Sequence, residues 1–334
     1  MSDAGDDRDH RAAKRISRAL RLAAKLVVAG LVLFVPATLW LLRDPVPRFA
    51  ERRSSLTSIR EGPTERAGSV VSQPVRLTAS SGLSVDLVVR ATEEGAGQAP
   101  SLTVDSTARR PLFLILCGYR TGERAAMLVE DPGDAVVAAM GYPFDGPTDL
   151  SGVAVVWHLP AIRSAILDTP PAIHLALDYL LGRPEVDTTR VELVGVSFGA
   201  FFAPVATALD PRVTRLWLIH GAGDPRAVLR HGLRGTVPPA LPRAIVASVA
   251  NIVFAGPRLA PELWLPRVAP RPVVMINASE DERLPPEAVR ALHASAREPM
   301  EQIWVAGQHL HPTRESLIRE LMDIVLSRAA DEAR

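Results

Sequence analysis

Six short, almost unbroken apolar runs constrain the fold of this chain more than any other feature. They are residues 111–117 (PLFLILC), 135–140 (AVVAAM), 191–196 (VELVGV), 213–220 (VTRLWLIH), 272–278 (PVVMINA) and 301–307 (EQIWVAG). Each has the length of a strand rather than a helix, and runs without polar alternation are what strands buried on both faces look like. Helix-competent stretches lie among them. Residues 171–181 place Ile173, Leu177, Leu180 and Leu181 on one face, 198–209 follow the third run, and 312–330 are amphipathic. Two shorter alternating runs, 75–79 and 85–89, flank Ser80, Ser81 and Gly82 as a hairpin, and the polar stretch 93–110 reads as a loop. The alternation predicts an α/β protein whose mostly parallel sheet is flanked by helices. Functional groups in such sheets collect at the carboxyl ends of the strands. Residues 224–271 carry no strand pattern and much Pro and Arg, and are expected to form a cap-like helical insertion over that edge.

The N-terminal segment has a different character. Residues 1–25 carry Arg8, Arg11, Lys14, Arg15, Arg18, Arg21 and Lys25, and residues 26–42 then run without a charge. As a helix, 26–42 would be about 25 Å long, and 22–42 about 31 Å, the thickness of a bilayer core. Pro36 is tolerable in a membrane helix, and Trp40 suits an interface. The basic flank places residues 1–25 in the cytoplasm and predicts a single-pass signal anchor over 22–42, with the rest of the chain extracytoplasmic. Val35, Pro36 and Ala37 offer a signal-peptidase pattern as an alternative, and a buried core helix is another. Residues 43–74, polar and rich in Pro, Ser and Arg, read as a linker to a domain over 75–330.

Composition excludes several classes of function. Lys and Arg total 38 against 37 for Asp and Glu, which makes no electrostatic case for nucleic acid. The single cysteine, Cys117, leaves no intrachain disulfide and no cysteine zinc cluster, and at a strand end it reads as a small core residue. His158, His174, His220, His231 and His293 lack metal-ligand spacing and read as structural or surface groups, so no metal and no cofactor is expected.

The strand ends carry the chemistry. Gly195-Val196-Ser197-Phe198-Gly199 sits between the third strand and the following helix, where a G-x-S-x-G turn presents a serine and the helix N-terminus faces a developing oxyanion. Asp281 follows the strand at 272–278, and His309 follows the strand at 301–307. In that order the three groups make a nucleophile, an orienting acid and a general base. His311 competes with His309 for the base, and Glu280, Glu282 and Asp224 compete with Asp281 for the acid. Pro204, inside the expected helix 198–209, predicts a kink.

Residues 75–330 resemble the α/β-hydrolase superfamily, in particular its dienelactone-hydrolase and prolyl-oligopeptidase-like branch. The resemblance is carried by Pro184-Glu185-Val186-Asp187, by the run from Arg190 through Ala200, and by Asp210-Pro211-Arg212-Val213. It implies an α/β-hydrolase fold behind the transmembrane helix, and an oxyanion hole from the backbone amides of Phe198 and Tyr119. Cys117 stands where the branch has a histidine. Together the residues predict a membrane-anchored serine hydrolase of a small-molecule carboxylic ester or thioester, with a medium-sized acyl or aromatic group suited to the insertion, working through an acyl-enzyme. A non-catalytic binding module of the same fold is one alternative. A serine peptidase is another, although the chain has no room for that branch's propeller domain.

Overall fold

A computed structural model of the chain describes residues 46–92, 109–147, 153–311 and 314–331. The anchor expected at 22–42 and most of the loop expected at 93–110 lie outside them. Among the described residues no helix is long and apolar enough to cross a membrane.

The described chain opens with helix α1 (Val46–Arg52), followed by strands β1 (Leu56–Glu61), β2 (Glu65–Ala67), β3 (Val70–Ala79) and β4 (Ser84–Thr92). This corrects the reading of 43–74 as a linker. β1 and β2 pair antiparallel with β3, Ser58 opposite Thr78 and Glu65 opposite Ser72. Almost every side chain of β1 and β2 is exposed, so neither strand carries an apolar alternation to read. Their charges suit a sheet edge, where they discourage further pairing. α1 is held by Phe49, 3% exposed with its ring 5.7 Å from that of Trp264, and by Arg52, 2.5 Å from Asp168.

The remaining strands are β5 (Arg110–Leu116), β6 (Val136–Met140), β7 (Val186–Val196), β8 (Arg215–Ile219), β9 (Val273–Ala278) and β10 (Met300–Val305). The sheet order is β1-β3-β4-β6-β5-β7-β8-β9-β10, with β2 on the edge beside β3. From β6 to β10 every pairing is parallel, and β4 joins β6 antiparallel. Alternate residues of β5 explain its unbroken apolar run: Leu112, Leu114 and Leu116 pack into one core layer, Phe113 and Ile115 into the other.

Helices cover both faces. On the first lie α2 (Val153–Leu180) and α3 (Ala203–Leu209), and on the second, beyond the C-terminal strand, lies the helix at Glu315–Asp331 with Leu321 and Val325 buried. The helix expected at 171–181 is the C-terminal part of α2, which begins at Val153 and accommodates Pro160, Pro170 and Pro171 within it. The helix expected at 198–209 is two pieces, a 3-10 turn at Ser197–Phe201 and then α3. Pro204 therefore falls in the first turn of α3, where a missing N–H costs no hydrogen bond.

Between Asp224 and Arg271 the regular structure is helical: α4 (Pro225–Gly232), α5 (Ala240–Val253), α6 (Gly256–Leu259) and α7 (Pro261–Trp264). α8 (Pro286–Ser295) and α9 (Glu315–Asp331) complete the chain. β5 lies between β6 and β7, so the chain reverses its winding there. That switch point, at the carboxyl ends of β5 and β7, is where α/β sheets open a crevice.

Candidate active site

β7 ends at Val196, and Ser197 turns the chain out of the sheet with φ 54. Side chains disfavour that backbone region, so the packing around it must hold it in place. The two glycines of the motif show how. A Cβ on Gly199 would lie 2.1 Å from the carbonyl oxygen of Leu116. One on Gly195 would lie 2.7 Å from Ala203 Cβ and 2.9 Å from the Gly199 carbonyl oxygen. The end of β5, the turn and the start of α3 thus meet at distances only glycine permits.

The half-buried Ser197 Oγ lies 2.8 Å from Nε2 of His309, which is 2% exposed. His309 Nδ1 lies 2.7 Å from Asp281 Oδ2. The other carboxylate oxygen of Asp281 accepts from the backbone N–H groups of Arg283 (2.9 Å) and Leu284 (3.0 Å). Burial pushes this carboxyl up, but the hydrogen bond and charge of His309 and the two N–H groups outweigh it and hold Asp281 below the usual carboxylate range. With Asp281 ionised, His309 carries its proton on Nδ1 and turns Nε2 toward the serine as an acceptor.

Among the competing groups, Glu280 and Glu282 are exposed. Glu282 accepts the backbone N–H of His309 at 2.9 Å and so supports its loop rather than its ring. Asp224 caps α4, accepting from Ala227 N at 3.1 Å. Cys117 is buried, its thiol pushed up by that burial. Its carbonyl accepts a 2.5 Å bond from the Tyr142 hydroxyl.

Phe198 and Tyr119 come together across the switch point, their ring centroids 6.4 Å apart. The Phe198 ring also packs against Tyr142 at 5.3 Å and Phe202 at 5.0 Å. The Phe198 N–H lies in the first turn of the 3-10 segment, where intrahelical acceptors are lacking. Tyr119 is 49% exposed, and its hydroxyl accepts from Arg120 Nε at 2.9 Å.

One residue at this site has no distinctive sequence signal. His220, expected among the structural or surface histidines, is fully buried with φ 49 at the end of β8. Its Nδ1 accepts the backbone N–H of Leu310 at 2.9 Å and lies 3.8 Å from Asp281 Oδ2, and its ring centroid is 5.2 Å from that of His309. Its Nε2 has no hydrogen-bond partner among the described residues. Burial, reinforced by the nearby His309, pushes its pKa down to about 4. His220 therefore stays neutral and ties down the residue after His309. In the sequence it only closes the apolar run 213–220; the structure ends β8 at Ile219 and so sets His220 just beyond the strand. His220, Asp281 and His309 lie close enough to share a metal ion. Such an ion would have to displace the Leu310 N–H from His220 and the Nδ1 proton of His309 from Asp281.

This chain has the α/β-hydrolase fold. Solved structures that share it include acetyl xylan esterase 1 from Thermoanaerobacterium sp. JW/SL YS485, at TM-score 0.58 and 15% identity over 84% of this chain and 92% of that one. An acetyl xylan esterase from Paenibacillus sp. R4 superposes at TM-score 0.60 with 14% identity, covering 83% and 90%. An α/β hydrolase from Penicillium sp. sh18 does so at TM-score 0.51 with 16% identity, covering 77% and 98%. No protein-family model and no curated protein matches the sequence.

Proposed function

We propose that the chain is a membrane-anchored serine hydrolase of small carboxylic esters or thioesters. The observation that carries this reading is the continuous hydrogen-bonded line from Ser197 Oγ through His309 to Asp281, mounted on a backbone turn held at φ 54. In the reaction His309 Nε2 takes the Oγ proton as Ser197 attacks the carbonyl carbon, and Asp281 stabilises the imidazolium that forms. The backbone N–H groups of Phe198 and Tyr119 stabilise the tetrahedral oxyanion. His309 returns the proton to the leaving alcohol or thiol, giving an acyl-serine that water, activated by the same histidine, then hydrolyses. Two of the structural neighbours are described as acetyl xylan esterases, which favours an ester over an amide. The apolar run at 26–42 behind its basic flank supports a single-pass anchor with the hydrolase domain outside the cytoplasm.

The test is labelling of the full chain in detergent by a fluorophosphonate, beside Ser197→Ala, His309→Ala and His311→Ala. Labelling lost in the first two and kept in the third supports the assignment. A folded wild type that does not label refutes it and promotes a binding module. Labelling kept by His309→Ala but lost in His311→Ala moves the base.

A further inference from the structure

The insertion that follows Asp224 has an unusual combination of charge and exposure. From 225 to 271 it contains Arg226, Arg230, Arg234, Arg243, Arg258, Arg267 and Arg271 against a single acidic residue, Glu262. Its longest helix, α5, buries Ala247 alone. Leu241, Ile245, Val249 and Ile252 are 73%, 57%, 55% and 47% exposed, and Val246 stands beside them at 43%. The spacing i, i+4, i+8, i+11 draws the first four into one stripe along the helix. Single exposed apolar residues are ordinary on a protein surface, but a contiguous row of them on one helix marks an interaction site.

The surroundings say what covers it. Arg163 of α2 donates to the carbonyls of Ile252 and Val253, joining the end of α5 to α2. On α2, Val156 and Trp157, about two turns before Arg163, are 62% and 80% exposed. α1 is bound to α2 through Arg52 and Asp168, and the charges of Arg48 and Arg52 both act on Arg163 and Arg258. The start of α1 therefore lies on the side of the domain where α5 ends. Only residues 43–45 separate Val46 from the apolar run at 26–42, and the four steps from 42 to 46 reach at most about 14 Å. Val46, the first described residue, thus lies on the side of the domain where α5 ends, and in sequence it follows the apolar run by four positions.

We propose that α5 is an interfacial helix that lays Leu241, Ile245, Val249 and Ile252 into the surface of an anionic lipid bilayer. A helix with an apolar stripe in a basic setting binds in this way, its apolar face sinking about 5–10 Å into the boundary between headgroups and acyl chains. Arg243 on α5 itself, with Arg48 and Arg163 near the end of that helix and none of the three buried, supplies the positive charge that complements anionic headgroups. The proposal rests on the anchor in the reading above but not on the hydrolytic chemistry. Its consequence for that chemistry is that the insertion beside the strand ends lies against lipid, so esters partitioned in the membrane are the substrates within reach.

The test uses the full chain reconstituted into phosphatidylcholine vesicles with and without phosphatidylglycerol. A bimane label is placed on Val249→Cys and, for comparison, on Ser327→Cys, an exposed position on α9; the wild type with its buried Cys117 gives the blank. Nitroxide-bearing lipids are then added. Label at 249 is expected to lose fluorescence about twofold or more in anionic vesicles and less in neutral ones, while label at 327 keeps its intensity. Chains that float with the vesicles but whose 249 label stays as bright as the 327 label overturn the proposal and leave the anchor standing. Chains that do not float overturn both. Oxidative disulfide crosslinking of unlabelled Val249→Cys chains, together with absence of lipid quenching in the labelled ones, overturns it by assigning the face to a second copy. Fluorophosphonate labelling of the same samples reads the hydrolase assignment separately.

Discussion

The pH dependence of stability tests the arrangement around Asp281 most directly, through His220. Its pKa falls from the usual 6.5 to about 4 in the folded chain, pushed down by burial, His309 and Arg314 against the opposing charges of Asp281 and Glu282. Folding therefore favours the neutral ring. That contribution is present in full above pH 6.5 and is lost as pH falls through 4. At pH 4.5 the unfolded chain has gained a proton that the folded chain still resists, at a cost of about 2–3 kcal/mol. His220→Asn removes the titration, and asparagine tolerates the φ of 49 at this position better than most side chains. At pH 7.5 the variant should be less stable by about 1–3 kcal/mol, because the buried N–H of Leu310 loses its acceptor. At pH 4.5 that deficit should shrink by about 2–3 kcal/mol, to near zero or a small surplus. Urea unfolding followed by tryptophan fluorescence at the two pH values, wild type beside variant, measures both numbers. An equal deficit at pH 7.5 and pH 4.5 would refute the reasoning, because it would mean that His220 is not held neutral by its surroundings. In the same variant the loop carrying His309 loses a tether, so the fluorophosphonate labelling rate should fall about tenfold if about 1.4 kcal/mol of positioning is lost.

Two further outcomes follow from the geometry. Gly199→Ala forces a methyl to 2.1 Å from a backbone oxygen that cannot swing aside, and should destabilise by about 3 kcal/mol or more, read as a lower melting temperature; an unchanged melting temperature would contradict the close approach. Asp281→Asn should slow hydrolysis of p-nitrophenyl acetate on the order of 10⁴-fold by allowing His309 the wrong tautomer, whereas Asp224→Ala, losing only a helix cap, should cost about 1 kcal/mol of stability and leave the rate within a few-fold. A large rate loss in Asp224→Ala would reassign the acid.

What could be read in advance divides along physical lines. Strands such as 111–117 and 191–196 were legible because two buried faces demand apolar residues at every position, and this leaves an unbroken run. β1 and β2 left no such trace, since at a sheet edge the backbone pairs while the side chains face water. Of α2 only the stretch from 171 showed a regular apolar face; its first half carries Pro160 and Pro170, and the helix there is held by packing rather than announced by local pattern.

The sequence by itself determined the alternation of strands and helices, the serine on its glycine-flanked turn, and the positions of an acid and a histidine after the last two parallel strands. These are properties of adjacent residues, so the one-dimensional pattern holds them. Which acid meets which histidine was decided by the tertiary structure. Glu280, Asp281 and Glu282 are neighbours in sequence, yet among them the loop turns Asp281 toward the His309 ring and Glu282 toward its backbone. The same holds for His220, brought beside His309 from 89 residues away by the pairing of β8 with β9 and of β9 with β10. It holds too for the apolar stripe of α5, whose residues in sequence look like any buried helix. Only the placement of every other element shows that nothing in the described chain covers it.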